Sequence, residues 1–270
     1  MLYRGMDKAA LDAAYNIGAA TGIERRDRII ADWTARTAAL AAKAGARRDI
    51  RYGDGPRHRL DFYPSGRVAA PALVFLHGGY WQFSDKENYG CLAEGLLAHG
   101  IDVVLPEYTL APAIDIDGIV AEVRRALAFL RGGLAQSFIV AGHSAGAHLA
   151  AMTMDEPGVT GVLAVSGLYD LEPIRLCFVN DKLGMDEETA RRNSPLRHIP
   201  ATAPPVVVAA GGNELPELRR QSADYGAALV AAGLEARNLV LDGHDHFSIL
   251  EELASPGGKL TAAVRDLAGR

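Results

Sequence analysis

The 270-residue sequence contains no run approaching the roughly 18 consecutive apolar residues that a membrane-spanning helix needs. Asp7 and Lys8 fall where a secretory leader would carry its apolar core, so the expected location is cytoplasmic, with no membrane partner. Cysteine is scarce. Cys91 and Cys177 are too few for a disulfide framework in a chain this long, and their apolar neighbours mark them as buried thiols. Positive charge is not in excess either: 28 Lys and Arg stand against 33 Asp and Glu, a formal net charge of -5. That balance gives no electrostatic reason to bind nucleic acid or an anionic membrane, and a small molecule is the expected partner. Internal repeats and low-complexity tracts are also absent. What is present is ordinary for a folded protein: 49% apolar residues and a mean hydropathy of +0.04. The length suits one domain with a single large core, residues 1–270.

Residues 1–46 are rich in alanine, with apolar residues such as Leu11, Tyr15, Ile29, Ile30 and Trp33 at helical spacing. They read as an N-terminal helical arm that covers a pocket or forms a homodimer contact. Segments 48–52 and 59–63 alternate in polarity around Gly53, Asp54, Gly55 and Pro56, the pattern of an antiparallel hairpin. From Pro71 onward, continuous apolar runs alternate with helical stretches, which is how strands buried on both faces of a parallel sheet appear. Strands are predicted at 72–76, 102–105, 138–141, 161–165, 206–210 and 238–241, and helices at 89–99, 119–131, 145–154 and 218–232. The fold class is therefore α/β, a mostly parallel central sheet with an N-terminal antiparallel hairpin and helices on both faces. Residues 171–200 are long and charged for an inter-strand connection and read as a lid-like insertion.

Gly142-His143-Ser144-Ala145-Gly146 follows one predicted strand and precedes a predicted helix, the context that a G-x-S-x-G nucleophile elbow requires. Small residues on either side let the chain turn sharply, and the helix beginning there aims its amides at the site. Ser144 is the candidate nucleophile. A serine hydroxyl is weak near neutral pH, so a base must take its proton. His244 and His246 both follow the last predicted strand, and His246, followed by Phe247, is favoured. His143 is expected to point away from the nucleophile, and His148 to pack on the following helix.

The base needs a carboxylate to orient it, and the loop after strand 206–210 offers Glu214, with Glu217 as the nearby alternative. Asp242 and Asp245 lie on the base's own short loop, where reaching the imidazole is difficult. Acyl transfer also needs donors for a developing oxyanion. His77-Gly78-Gly79-Tyr80-Trp81 directly follows the first parallel strand, so the amides of Gly78 and Gly79 with that of Ala145 form the candidate oxyanion hole. The aromatic residues Tyr80, Trp81, Phe83, Tyr108 and Tyr169 lie near predicted loops; Tyr80, Trp81 and Tyr169 are the candidate substrate-binding rings, or else pack beneath those loops.

These motifs resemble the α/β-hydrolase esterases and lipases with an HGG oxyanion loop, and within them the kynurenine formamidase (arylformamidase) family. The Tyr80-Trp81 extension, the segment Glu107-Tyr108-Thr109-Leu110-Ala111-Pro112, His143 in the elbow and His246-Phe247 carry the resemblance, which spans about residues 48–250. Glu214 stands where these families usually have Asp, and Ala113 replaces an acid common after Ala-Pro. The resemblance implies a serine hydrolase that cleaves a small carboxylic ester or aryl formamide through an acyl-enzyme, with no metal or organic cofactor. A ligand-binding protein on a catalytically dead hydrolase scaffold is the contrasting reading. Such scaffolds normally lack a triad member, whereas all are present here in order. Dehalogenase and epoxide hydrolase chemistry would need Asp at the elbow.

Overall fold

Along the central strands, successive side chains alternate between two apolar layers, and this alternation is what stacks the molecule. Val74, Leu76, Val140, Val162 and Val208 enter one layer. Leu73, Phe75, Ile139, Leu163 and Val207 enter the other. The computed structural model describes residues 1–269 and contains one eight-stranded sheet: β1 (Arg47–Arg51), β2 (Arg59–Tyr63), β3 (Ala72–Leu76), β4 (Asp102–Pro106), β5 (Phe138–His143), β6 (Val159–Val165), β7 (Val206–Gly211) and β8 (Ala236–Leu241). The strand order is β1-β2-β4-β3-β5-β6-β7-β8. The hairpin β1–β2 is antiparallel, β2 pairs antiparallel with β4, and every pairing from β3 to β8 is parallel. This is the expected fold class, and all six expected parallel strands are present.

The helices are α1 (Lys8–Ala14), α2 (Ile17–Thr21), α3 (Ile23–Ala44), α4 (Ala93–Leu97), α5 (Ile116–Arg131), α6 (Ala145–Met152), α7 (Glu172–Leu176), α8 (Asn180–Leu183), α9 (Glu187–Arg192), α10 (Pro216–Ala231), α11 (Glu251–Ala254) and α12 (Lys259–Ala268). Leu149 of α6, Ile119 and Val123 of α5 and Leu218 of α10 join the first layer. Trp33 of α3, Leu96 of α4, Leu253 of α11 and Val264 of α12 join the second, so helices cover both faces.

Where one continuous helix was expected over 89–99, the chain instead makes 3₁₀ turns at Lys86–Asn88 and Gly90–Leu92 before α4. The reason is contact with α3 and β2. A Cβ on Gly90 would stand 2.2 Å from the Tyr63 hydroxyl and 2.5 Å from Thr37 Cγ2, and the Cys91 amide donates to Thr37 Oγ1 at 2.9 Å. Short 3₁₀ turns are frequent as connectors and at helix starts, and glycine at 90 is what lets this one lie against α3 and β2. Both cysteines are buried free thiols. Among the described residues, no helix is long and apolar enough to cross a membrane.

A buried ionic lattice fastens the hairpin to the loop after β3. The Lys86 side chain is fully buried, and its Nζ lies 2.9 Å from Asp61, 3.0 Å from Asp49 and 2.6 Å from Glu87. Burial alone would pull its pKa down, but the hydrogen bonds to Glu87, Asp61 and Asp49 outweigh that and hold it above the usual lysine value. Nearby, Glu107 at the end of β4 accepts from Arg59 Nε at 2.8 Å and lies 3.2 Å from Arg57. Removing one member of a buried ion pair strands the others. Lys86→Met should therefore lower the unfolding free energy by about 3–5 kcal/mol, read from urea denaturation.

Candidate active site

The sharp bend that β5 makes into α6 is set by backbone contacts that leave no room for side chains. A Cβ on Gly146 would lie 1.9 Å from the Leu76 carbonyl oxygen, and one on Gly142 2.1 Å from the Gly146 carbonyl oxygen. Two glycines thus let β3, β5 and α6 meet at van der Waals distance. Ser144 between them has φ 57° and ψ -119°, a conformation that costs a non-glycine residue about 1–3 kcal/mol. It persists because its neighbours hold it: the Ser144 amide donates to the Val165 carbonyl at 2.8 Å. The amide of Ala145, first in α6, is one of those an α-helix leaves without an intrahelical acceptor.

The HGG loop lies directly against this bend. A Cβ on Gly78 would stand 2.9 Å from the His143 carbonyl oxygen and 3.1 Å from Ser144 Cβ. Gly79 has φ +106°, and a Cβ there would meet the Phe83 carbonyl oxygen at 2.0 Å. The turn continues through Tyr80, Trp81 and Ser84, all at positive φ. His77 stacks at 4.4 Å on Tyr108, whose hydroxyl donates to the His77 carbonyl at 2.8 Å. Burial lowers the His77 pKa to about 4, which leaves it neutral and structural at physiological pH.

The loop after β8 carries His246. Its Nδ1 lies 2.9 Å from Glu214 Oε2, and a carboxylate there makes that nitrogen the donor. The other oxygen of Glu214 accepts from the Gly211 amide and from the Ser166 hydroxyl, each at 2.6 Å. Glu217 is engaged elsewhere, by Arg220 and the Tyr15 hydroxyl. His244 pairs with Glu252, and Asp245 accepts from the amides of Phe247 and Ser248. Arg25 of α3 also grips Asp245. Although partial burial opposes it, these partners depress the Asp245 pKa to about 2.

A cavity of about 410 Å³ brings Ser144 and His246 together with Gly79, Tyr80, Phe83, Asp85 and His143. Its far wall is the N-terminal arm, through Ile17, Gly18, Arg26, Asp27 and Ile30. Tyr80 ties loop to arm, since its hydroxyl donates to the Tyr15 carbonyl at 2.6 Å. The segment 171–200, expected to be lid-like, contributes none of these lining residues. It packs behind the HGG loop, where Gln82 donates to the Val179 carbonyl at 2.7 Å, and beside α6, where His148 Nε2 donates to the Asn193 carbonyl at 2.8 Å.

Two of the three candidate substrate-binding rings are not at the cavity. Trp81 is fully buried and meets His148 edge-on at 5.0 Å. Tyr169 is equally buried and stacks on Tyr225 at 4.2 Å. Both fill the core beneath the loops, while Tyr80 lines the cavity. His143 also differs from expectation. Its ring lies 4.4 Å from that of His246 and lines the same cavity, because Nε2 is drawn to the His246 carbonyl at 2.7 Å. Phe83, one of the aromatic residues expected near the loops, lines the cavity, and the arm covers it, one of the two roles the sequence suggests; Ser166 is not among the expected site residues. Ser166 directly follows the predicted strand 161–165, a signal for proximity to the sheet edge, whereas the arm's composition does not say which of its residues meet the cavity.

A second groove, of about 420 Å³, runs between α10 and β8 and contains none of the expected catalytic residues. Asp85, Glu87 and Glu107 bring carboxylate oxygens within 4.8 Å of one another, the spacing of a metal cluster. Arg57, Lys86 and Arg59 already neutralise them.

The BD-FAE family model matches residues 60–160. The kynurenine formamidase of Danio rerio is 36% identical and aligns over 90% of this chain and 92% of its own length. That of Salmo salar is 35% identical over the same shares of the two chains. Among solved structures, a candidate thioesterase from a Silicibacter species superposes with a TM-score of 0.88 at 30% identity, covering 94% of this chain and 98% of its own.

Two expectations test the loop that carries His246. Ser166→Ala removes a hydrogen bond to a buried carboxylate, and a thermal melt should show a loss of about 1.5–3 kcal/mol. Because the Asp245 pKa is depressed on folding, its contribution is present above about pH 4 and lost as pH falls toward about 2. The stability gap between wild type and Asp245→Asn, measured by denaturation across pH, should therefore close over that window.

Proposed function

The chain belongs to the kynurenine formamidase family of α/β-hydrolases, enzymes of formamidase and esterase type, and from that membership we propose that it is a serine hydrolase acting through an acyl-enzyme. The observation that carries the reading is the paired His246 Nδ1 and Glu214, 2.9 Å apart, with His246 and the strained Ser144 lining one cavity.

In this reading the Glu214 carboxylate fixes His246 with its proton on Nδ1, which leaves Nε2 as the free base. Nε2 takes the Ser144 proton while Oγ attacks the substrate carbonyl carbon. The carbonyl electron pair moves onto oxygen, where the amides of Gly78, Gly79 and Ala145 stabilise it. The imidazolium then gives its proton to the departing nitrogen or oxygen as the old bond breaks, leaving the acyl group on Ser144. Water repeats the sequence in reverse roles and releases the acid. None of these steps draws on a metal or organic cofactor. With an aryl formamide the products are formate and an aryl amine; with an ester, an acid and an alcohol.

The cavity favours a small, flat acyl donor. Tyr80, Phe83 and Tyr89 line it with aromatic surface, and Ile17 and Ile30 face them from the arm. The substrate is accordingly a small carboxylic ester or aryl formamide, met in the cytoplasm.

Ser144→Ala should remove nearly all hydrolysis of p-nitrophenyl acetate and block labelling by a fluorophosphonate; retained turnover would contradict the proposal. Glu214→Gln should lower kcat by about 10⁴-fold. A panel of N-formyl aryl amines and short aryl esters, compared by kcat/KM, separates formamidase from esterase preference.

A further inference from the structure

The elbow places a second imidazole beside the base. His143 is 3% exposed, its ring centroid is 4.4 Å from that of His246, and its Nε2 lies 2.7 Å from the His246 carbonyl oxygen. A carbonyl only accepts, so Nε2 carries the hydrogen and Nδ1 is the bare nitrogen. That Nδ1 is buried without a partner and faces the HGG loop, where a Cβ on Gly78 would come within 3.3 Å of it. A proton added there would create a buried, unpaired N–H⁺, so the ring is confined to its neutral form. Burial, reinforced by the charge of His246, pushes its pKa well below the usual histidine value.

We propose that His143 is a positioning residue of the hydrolysis: it anchors the main chain of the base at His246 and packs that loop against the HGG loop at Gly78, while staying uncharged. This rests on reading His246 as the general base. The neutrality follows from the same geometry as the anchoring. Two protonatable rings at this separation would compete for one proton, and a charged neighbour would shift the base away from its working range. With His143 tied to a carbonyl, His246 is the ring that cycles between neutral and charged.

The charges around His246 are few, and each has a partner. Glu214 on the β7 loop holds Nδ1, and Asp245 next in the chain is held by Arg25 of α3. Across the cavity stand Arg26 and Asp27 of α3, paired with each other, and Asp85, paired with Arg57. His143 is therefore the one ring packed on the base from β5, tilted 45° to it, and its substitution changes the base's setting without removing a member of those pairs.

The test compares wild type, His143→Leu, His143→Gln and His143→Asp on p-nitrophenyl acetate from about pH 5 to about pH 9, bracketing the histidine range. Loss of the anchor in His143→Leu should lower kcat by about 10–100-fold with KM within about twofold, as small misplacements of a base do. The glutamine amide can donate from nearly the same position as Nε2, so His143→Gln should recover kcat to within about fivefold of wild type. His143→Asp places a carboxylate beside the base and should move the acid limb of kcat/KM to higher pH by about one unit.

Unchanged kcat in His143→Leu would overturn the proposal. So would equal losses in the leucine and glutamine variants that track a lowered melting temperature, since that is the mark of packing alone. If the aspartate variant does not fold, the kcat ratio of the other two decides. Failure of the wild-type enzyme itself to react with a fluorophosphonate would instead refute the serine hydrolase reading, so the two failures are distinguishable.

Discussion

The approach of three backbones at the C-terminal edge of the sheet governs everything else in this molecule. Gly142 and Gly146 let β5 and α6 close on the end of β3 at distances no Cβ would permit, and Ser144 is forced into a positive φ between them. The energy of that strain has to come from elsewhere, and the apolar layers on both faces of the sheet are the available source. The same crowding requires glycine at 78, because the HGG loop packs on the His143 carbonyl and Ser144 Cβ. The bend at Ser144 and the course of the HGG loop thus share a single steric origin.

Around that rigid centre the cavity is assembled from parts with very different fastenings. The HGG loop is anchored from behind by charge: Arg57 donates to the Ser84 and Tyr108 carbonyls and pairs with Asp85, and Lys86 is locked among three carboxylates. The arm is held mainly by shape. Trp33 is buried against Tyr89 and Phe247 and donates its indole hydrogen to Glu251 at 2.5 Å. One wall is therefore fixed by buried ion pairs, whose loss is costly, and the opposite wall by the buried side chains of Leu11, Tyr15 and Trp33 together with more exposed pairs to the rest of the molecule, Arg25 with Asp245 and Arg36 with Glu251.

The order of elements and the fold class were legible because buried parallel strands write themselves as continuous apolar runs, and because the elbow and the HGG loop sit at fixed places relative to them. Glu214 and His246 could be picked out by the strands they follow. What the sequence did not disclose depends on tertiary distance. The 3₁₀ turns around Gly90 arise from contact with Thr37 and Tyr63, far away in the chain. Trp81 and Tyr169 follow strands as substrate-facing residues would, yet positive φ at Trp81 and the stack on Tyr225 turn both inward. The orientation of His143 is not local either: its ring direction is set by a carbonyl 103 residues away. Nothing local in residues 1–46 says which surface they will cover.

Glutamate at 214, where the resemblance implies aspartate, is accommodated by the way its carboxylate is gripped. A longer side chain loses more rotamer freedom when it is ordered, so the extra methylene by itself would loosen the hold on His246. Here Oε1 is clamped by the Gly211 amide and the Ser166 hydroxyl, both at 2.6 Å, and hydrogen bonds to a carboxylate are among the stronger ones in proteins. That clamp removes the freedom of the extra methylene and leaves Oε2 aimed at Nδ1. The imidazole is then restrained at its nitrogen by Glu214, at its main chain by His143 and at its edge by Phe247, whose ring meets it at 5.7 Å. Restraints from the β7 loop, from β5 and from the neighbouring Phe247 tolerate a change in one side-chain length, because none of them alone sets the position of His246.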